Sequence, residues 1–271
     1  MHKKIRLNAA ATAGLLIILF FLIIAVFAPV IAPYDPKEMI ASYLPPSKEH
    51  ILGTNDVGQD IFSEMVYGTR VSLYIGIFAA FIVTGVGTVL ALVSGYFGGV
   101  ADKIITAITN IAMAVPSLPL TVLLIAYLNP GKWSLIIAIS ITAWTGTARI
   151  LRARVMQLKE LPFIKIEKTM GVHPAVILFK HILPNIKDII LTRGAMAISG
   201  AMMTEAGLSF LGLGVNAPMP SLGSLASAAL NGLQSYPYRL FAPAIAISVV
   251  ILSFNLFGDG LRDAFDPKLK N

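Results

Sequence analysis

The sequence has no cysteine and little charge. Without cysteine the protein forms no disulfide, holds no thiolate metal site and uses no cysteine nucleophile. Charged residues make up only 13% of the 271 residues, about half the share that is usual in a soluble domain, while hydrophobic residues make up 56%. So little charge cannot cover a water-facing surface of this size. The composition therefore excludes soluble globular, disordered and ordinary nucleic-acid-binding proteins, and it predicts a membrane protein with several spans.

Six stretches are apolar enough to cross a membrane, since a spanning helix needs about 20 mostly apolar residues. The first is longer than the apolar part of a secretory signal peptide, so we interpret it as a retained span. Another uncharged stretch, 212–238, is interrupted by Gly, Pro, Ser and Asn. We interpret it as an outer loop with a short helix near 221–233, and a re-entrant segment is the alternative. The predicted spans are Ala13–Ala32, Val71–Ala101, Ile104–Gly131, Trp133–Ala148, Ile189–Leu211 and Leu240–Gly258.

Lysine and arginine concentrate on one side of these spans. Eight of the 21 basic residues lie in the stretch Arg149–Lys187, between the fourth and fifth spans. Because cytoplasmic loops of membrane proteins are rich in Lys and Arg, we place this stretch and both chain ends in the cytoplasm. The first outer loop is acidic by comparison and carries Asp56, Asp60 and Glu64. The sequence thus predicts an all-α, multi-pass protein of the cell membrane with six transmembrane helices, N-in and C-in.

The basic stretch holds a cytoplasmic loop that is long and patterned like folded structure. Gly171 can end one short helix in the left-handed conformation, and Pro174 can occupy the first turn of the next. Pro184 is expected to stop or bend the chain after that second helix. Two short helices held below the membrane suggest a docking surface for another protein. An interfacial amphipathic helix that binds only lipid headgroups is the alternative, and composition alone does not decide between them.

Two charged residues lie well inside predicted spans, where charge is costly and usually faces a cavity or a partner. Glu205 is a candidate for the lining or gate of a solute path, and a structural hydrogen bond to a neighbouring helix is the alternative. Arg193 is expected to extend to the cytoplasmic headgroups. None of the four histidines and no pair of aspartates lies in a span, which excludes intramembrane protease chemistry. We expect no catalytic and no metal-binding residues.

Several motifs occur together along the chain. Gly171 is followed by Leu183 and Pro184, and the outer segment 50–64 has the pattern HILGTNDVGQDIFSE. Segment 204–214 has the sequence TEAGLSFLGLG, and 254–263 has FNLFGDGLRD. Together these resemble the C-type permease of the dipeptide, oligopeptide and nickel group of binding-protein-dependent ABC importers, over nearly the whole chain. In that family the cytoplasmic loop is called the EAA loop, and the outer pattern is HxLGTDxxGRDxxSR.

The resemblance is incomplete in the EAA loop and in the outer motif. Where the family has Glu-Ala-Ala, this chain has Lys165-Ile166-Glu167, so the usual Glu is Lys165 and the nearest carboxylate is two positions later. The family's GRD arginine is Gln59, and its arginine after Ser63 is Glu64. We therefore do not transfer an ion pair between position 165 and an ATPase. The loop residues that the resemblance assigns to ATPase coupling are Lys165, Glu167, Gly171, His181, Leu183 and Pro184.

The resemblance implies a type I ABC importer permease fold and a division of the chain. Residues 1–68 would form the first span and an outer polar loop, 69–260 the transmembrane domain, and 261–271 a cytoplasmic tail. The implied partners are a B-type permease that completes a heterodimer, two ABC ATPase subunits and an extracytoplasmic solute-binding protein, besides membrane lipid. The outer loop with Asp56, Asp60 and Glu64 would face the binding protein.

The implied function is transport without catalysis by this chain. The sequence has no GxxxxGK[ST] phosphate loop, so ATP and Mg²⁺ would be bound by the partner ATPases, and we expect no cofactor here. Di- and oligopeptides are the expected cargo, with nickel or a metal chelate as the alternative. An ATP-independent secondary transporter is a more distant alternative, because it would leave the structured cytoplasmic loop unexplained.

Overall fold

A computed structural model describes residues 7–215 and 218–265 of the chain. The regular structure in these ranges is helical, apart from one isolated bridge between Thr54 and Asp60. The predicted tail is described only up to residue 265, and the basic residues of 1–6 lie outside the described ranges. The α-helices are α1 (Ala9–Val26), α2 (Ala28–Ile31), α3 (Ile61–Phe97), α4 (Gly99–Ala114), α5 (Ser117–Leu128), α6 (Lys132–Lys159), α7 (Pro162–Thr169), α8 (Pro174–Val176), α9 (Leu183–Phe210), α10 (Leu222–Ala228) and α11 (Tyr238–Phe265), with a π-helix at Ile177–Ile182 and a 3-10 helix at Ala229–Gly232.

Helices occupy all six predicted spans, which confirms the all-α membrane fold. Four of them, α1, α3, α6 and α11, are each long and apolar enough to cross a bilayer. The fifth predicted span corresponds to α9, which is less apolar because it carries Glu205 and several hydroxyl side chains in its buried face. The predicted short outer helix is also present, as α10 and the 3-10 turn after it.

The third predicted span, Ile104–Gly131, is not one straight helix. It consists of α4 and α5, which meet at an angle of 91°. The break falls at Val115 and Pro116 because proline has no N–H to donate and disfavours a helical conformation in the residue before it. Val115 accordingly has an extended backbone, with φ −81° and ψ 127°. This bend opens one side of the helix bundle.

Close contacts between helices hold the bundle together. At Gly95 a Cβ atom would lie 2.8 Å from Val155, and at Gly87 it would lie 2.9 Å from Cβ of Thr147, so glycine lets α3 and α6 approach. Helix α9 packs against α3, α6, α10 and α11, while α1 packs on α11 and α3. Helix α9 therefore runs through the centre of the fold, from the cytoplasmic loop to the outer loop.

The first outer loop is folded without long helices. Asp60 caps α3 by accepting hydrogen bonds from the backbone N–H and the hydroxyl of Ser63, both at 2.8 Å. His50 Nδ1 lies 3.0 Å from the other carboxylate oxygen of Asp60, which is 1% exposed. These bonds fix the loop against the outer end of α3.

Candidate coupling loop and translocation chamber

The cytoplasmic loop consists of two short helical segments joined at Gly171, as predicted. Helix α7 begins with Pro162 and ends before Gly171, whose φ of +75° is in the left-handed region that favours glycine. The N–H of Val172 donates to the carbonyl of Glu167 at 3.0 Å, which completes a Schellman-type cap. The second segment begins at Pro174, after His173, whose Nδ1 accepts from the N–H of Ala175 at 3.2 Å.

Of the two outcomes predicted for Pro184, a stop or a bend, the stop is wrong. The chain continues from α8 through the π-helix Ile177–Ile182 into α9, with Pro184 in the first turn of α9. A π-turn closes hydrogen bonds over five residues, and the N–H of Leu183 donates to the carbonyl of Leu178. The wider turn before the proline thus accommodates its missing N–H. The second segment of the loop therefore joins α9 without a break in the helical chain.

The two segments of the loop are joined by a polar contact between two side chains of this chain. Glu167 Oε1 on α7 lies 2.9 Å from His181 Nε2 on the π-helix, and both side chains are about three-quarters buried. The displaced carboxylate of the EAA motif therefore binds within the loop. Lys165 also has a partner in this chain, since its ammonium lies 2.8 Å from Glu160 and holds the pKa of that exposed carboxyl below its usual range.

Apolar residues attach one side of the loop to the membrane domain and leave the other side exposed. Ile164, Ile177 and Ile182 are buried in one cluster with Leu151 and Val155 of α6. Other large apolar residues of the loop, Phe179 among them, are exposed in this chain. Met170 is 76% and Phe179 is 67% exposed. We call these residues the apolar docking face; it comprises Phe163, Ile166, Met170 and Phe179.

A large open chamber lies where α4 and α5 bend away from α6 and α9. Its volume is about 620 Å³. None of the described residues that line it is charged; they are apolar or carry hydroxyl groups, among them Thr121, Thr142 and Thr204. The break at Pro116 forms part of the wall, so the broken span shapes the chamber. These lining residues could not be predicted from the sequence, because threonines and small residues scattered over several helices carry no distinctive motif.

A second cavity of about 250 Å³ lies closer to the cytoplasmic end of α4 and α6. It is more polar than the chamber, with Thr106, Asn110 and Arg149 in its lining. Arg152, also in the lining, holds Asp102 through Nε and Nη2, each 2.6 Å from a carboxylate oxygen. This bidentate pair ties the start of α4 to α6.

Glu205 does not line the chamber in this structure. It is 0% exposed and accepts hydrogen bonds from Ser72 Oγ of α3 at 2.8 Å and from Ser209 Oγ at 2.7 Å. Ser72 in turn accepts from the N–H of Leu222 at 3.2 Å, at the start of α10. The arrangement corresponds to the structural alternative from the sequence analysis. Arg193, the other charge in a predicted span, is half-buried on α9, close to Gly146 of α6.

The acidic residues that were predicted to face a binding protein differ in exposure. Only Asp56 has an exposed side chain. Asp60 is 1% exposed and caps α3, and Glu64 is 6% exposed with its Oε2 3.0 Å from Asn55 Nδ2. The carboxylates of Asp60 and Glu64 therefore stabilise the outer loop itself, and direct contact with a docked protein is open to Asp56.

The fold is that of a multi-pass membrane permease, in which an open chamber and a folded cytoplasmic loop share one helix. A family model described as binding-protein-dependent transport system inner membrane component matches residues 87–271, and one described as the N-terminal TM domain of oligopeptide transport permease C matches residues 1–46. The chain belongs to this family of inner-membrane permease subunits of ABC importers, which are transport components and not enzymes.

Comparisons with individual proteins agree with this assignment. The chain is 43% identical over 269 residues to the oligopeptide transport system permease protein OppC of Bacillus subtilis, covering 98% of this chain and 88% of the relative. It is 38% identical over 271 residues to the dipeptide transport system permease protein DppC of the same species, covering 99% and 85%. A chain of the inward-facing MetNI methionine ABC transporter matches with a TM-score of 0.61 and 18% identity, covering 76% of this chain and 98% of that chain, which shows the type I importer fold.

Proposed function

We propose that this chain is the C-type permease subunit of an importer of di- and oligopeptides. The observation that carries the proposal is that a chamber of about 620 Å³ without charged lining residues lies on the same helix, α9, that begins at the coupling loop. Peptides vary in side-chain charge, and a lining of hydroxyl and apolar groups favours none of those charges. The names of the relatives OppC and DppC support the same substrate class.

The partners in this proposal follow from two surfaces of the chain. The chamber is open on one side, and a B-type permease would close it and complete the path. The apolar docking face would bind one of two ABC ATPase subunits, which supply the ATP and Mg²⁺ sites. Because Lys165 and Glu167 are already paired within this chain, we propose that ATPase contact depends mainly on apolar packing.

Coupling would proceed through α9. When the ATPases close on ATP, the loop moves with the docked subunit, and its continuity with α9 transmits that movement to the chamber wall. The outer end of α9 is tied through Glu205 to α3 and α10, so the outer side would respond as well. A solute-binding protein would deliver peptide there, with Asp56 among the exposed contact residues.

A bare nickel ion has less support as the cargo, whereas a metal chelate would need no ligand from this chain. The described residues contain no group of three or more His, Cys, Asp or Glu side chains that could hold a metal ion. A bare metal ion would therefore find no preformed site among them. Peptides are accordingly the substrate class that we propose.

The test is uptake by the reconstituted complex. The chain, its partner permease, both ATPases and the binding protein are placed in liposomes, and uptake of a labelled tripeptide is measured with and without ATP. We expect uptake that needs ATP and is lost when Phe179→Asp places a charge in the apolar docking face. Leu123→Asn, on an exposed position of α5 outside that face, is the control for general disturbance. Equal uptake without ATP would contradict the proposal.

A further inference from the structure

Arg239 lies in an unusual environment on the outer side of the chain. It is the second residue of α11 and is only 7% exposed. Its guanidinium carbon lies 4.1 Å from the ring centre of Tyr236 and 5.0 Å from that of Tyr43, and these two rings stack on each other. The aromatic contacts hold the guanidinium in place through cation–π attraction.

One edge of this guanidinium has no hydrogen-bond partner among the described residues. Both Nε and Nη2 of Arg239 are buried and unpaired. These two N–H groups point in parallel along one edge of the guanidinium, a geometry that matches the two oxygens of a carboxylate. Arg152 of the same chain uses the same two atoms to hold both oxygens of Asp102 at 2.6 Å. Leaving both N–H groups unpaired costs free energy, and a carboxylate has the geometry to satisfy both of them.

Opposite charge is present in the same cavity. Arg239 lines a cavity of about 40 Å³ together with Glu64 and Asp56, and with the amides of Asn55 and Asn231. Glu64 is 6% exposed and its burial raises the pKa of its carboxyl group to about 7, so an acid and a guanidinium, each more than nine-tenths buried, share one small space. A ligand that carried only a negative charge would meet repulsion from Asp56 and would favour the neutral form of Glu64. A ligand with an ammonium group beside its carboxylate would satisfy both sides.

We propose that this cavity binds the zwitterionic head of a small free amino acid. The carboxylate lies against Nε and Nη2 of Arg239, and the ammonium group faces Glu64 and Asp56. The volume is enough for a few water molecules, which suits glycine and leaves no room for a buried peptide. The site is separate from the transport chamber and goes beyond the proposed function, because none of its lining residues is shared with the chamber.

A ligand bound in this cavity would contact several segments on the outer side of the chain. Its walls come from the first outer loop, the outer end of α3, the segment around α10 and the start of α11. A bound zwitterion would tie these segments together at the outer mouth of the permease. The complex would therefore be more stable to heat when glycine is present.

The experiment measures glycine binding to the complete importer complex in nanodiscs by saturation-transfer NMR, with acetate and methylamine as single-charge probes. We expect glycine to bind and each single-charge probe to bind roughly tenfold or more weakly, since each loses one of two ionic contacts. Thermal unfolding of the complex supplies the second readout, with glycine expected to raise the midpoint.

Two variants locate the site. Arg239→Lys keeps the positive charge and removes the two parallel N–H groups. Glu64→Gln keeps the shape of the side chain and removes its ability to carry a negative charge. Each is expected to weaken glycine binding roughly tenfold. Arg70→Lys, at an exposed position of α3, is the matched control and should bind as the wild type does. If the complex with Arg239→Lys does not assemble, glycine binding to the Glu64→Gln complex is the deciding measurement. The proposal is overturned if glycine binds no better than acetate, or if the variants that assemble bind glycine as the wild type does.

Discussion

Ser72 and Glu205 join α3 to α9 through a hydrogen bond of 2.8 Å between Ser72 Oγ and Glu205 Oε2, in a position where both residues are almost fully buried. The same hydroxyl accepts from the backbone of Leu222. A carboxylate at this depth is costly unless its oxygens are bonded, and here hydroxyl groups from two helices supply the bonds. The pair therefore connects the central helix to the outer loop.

We expect Ser72→Ala to destabilise the complex by about 1–3 kcal/mol, because it removes one of the hydroxyl donors to the buried carboxylate of Glu205. Thermal unfolding of the purified complex, followed by size exclusion, measures the loss. Thr204→Ala is the control: Thr204 is the neighbour of Glu205 but lines the chamber, and its hydroxyl donates to the carbonyl of Gly200 in its own helix. Equal destabilisation by both substitutions would contradict the assignment.

Glu205→Gln separates the structural role from a role in gating. An amide keeps the shape and can still accept from the hydroxyl groups, so we expect the complex to assemble and to retain most uptake at a moderate loss of stability. Uptake of labelled peptide, measured in liposomes at equal complex content, checks this. A stable complex with no uptake would instead support Glu205 as a gate residue.

The left-handed turn at Gly171 allows a test of the role of the loop in ATPase coupling. With φ at +75°, a β-branched residue costs of the order of 1–3 kcal/mol there, whereas asparagine adopts this conformation more readily. Gly171→Val should insert into the membrane normally and lose most substrate-stimulated ATPase activity of the complex. Gly171→Asn should retain much more of that activity. A Cβ atom at this position would meet nothing within 4 Å, so the difference between the two variants reports backbone conformation and not crowding.

The sequence predicted the parts of this protein that depend on local rules. Apolar runs located the spans, and Gly171 and Pro174 located the bend of the coupling loop. The roles of the charged side chains were harder to predict, because they depend on neighbours distant in sequence: Glu205 bonds to Ser72, and Glu167 to His181. The 91° break at Pro116 was missed because the run around it is uncharged, and hydropathy carries no information about direction.

A double-mutant cycle tests the pair Glu167–His181. We expect Glu167→Ala and His181→Ala each to lower the stability of the coupling loop, and the double variant to cost less than their sum, with a coupling energy of about 0.5–1 kcal/mol for a partly exposed pair. Hydrogen exchange of the loop amides in the complex provides the measurement. Lys165→Ala is the comparison, because the Lys165–Glu160 pair is more exposed and should contribute less. Strict additivity would mean that the observed contact carries no stabilising energy.

The chamber can be tested with two glycines that differ in position and not in local space. Gly207 lines the chamber and Gly85 lies on α3 outside it, and a Cβ atom added to either would meet nothing within 4 Å. Both are exposed in this chain, so neither substitution creates a clash within its own subunit.

We expect Gly207→Trp to fill part of the chamber and reduce peptide uptake at least tenfold, roughly the effect of losing 1.4 kcal/mol. Gly85→Trp should change uptake by no more than a factor of about two, which corresponds to a much smaller free energy than the tenfold loss. Because both variants carry the same side chain, equal loss of uptake would show that the 620 Å³ space is not the transport path, whereas loss in Gly207→Trp alone would place the peptide against α9.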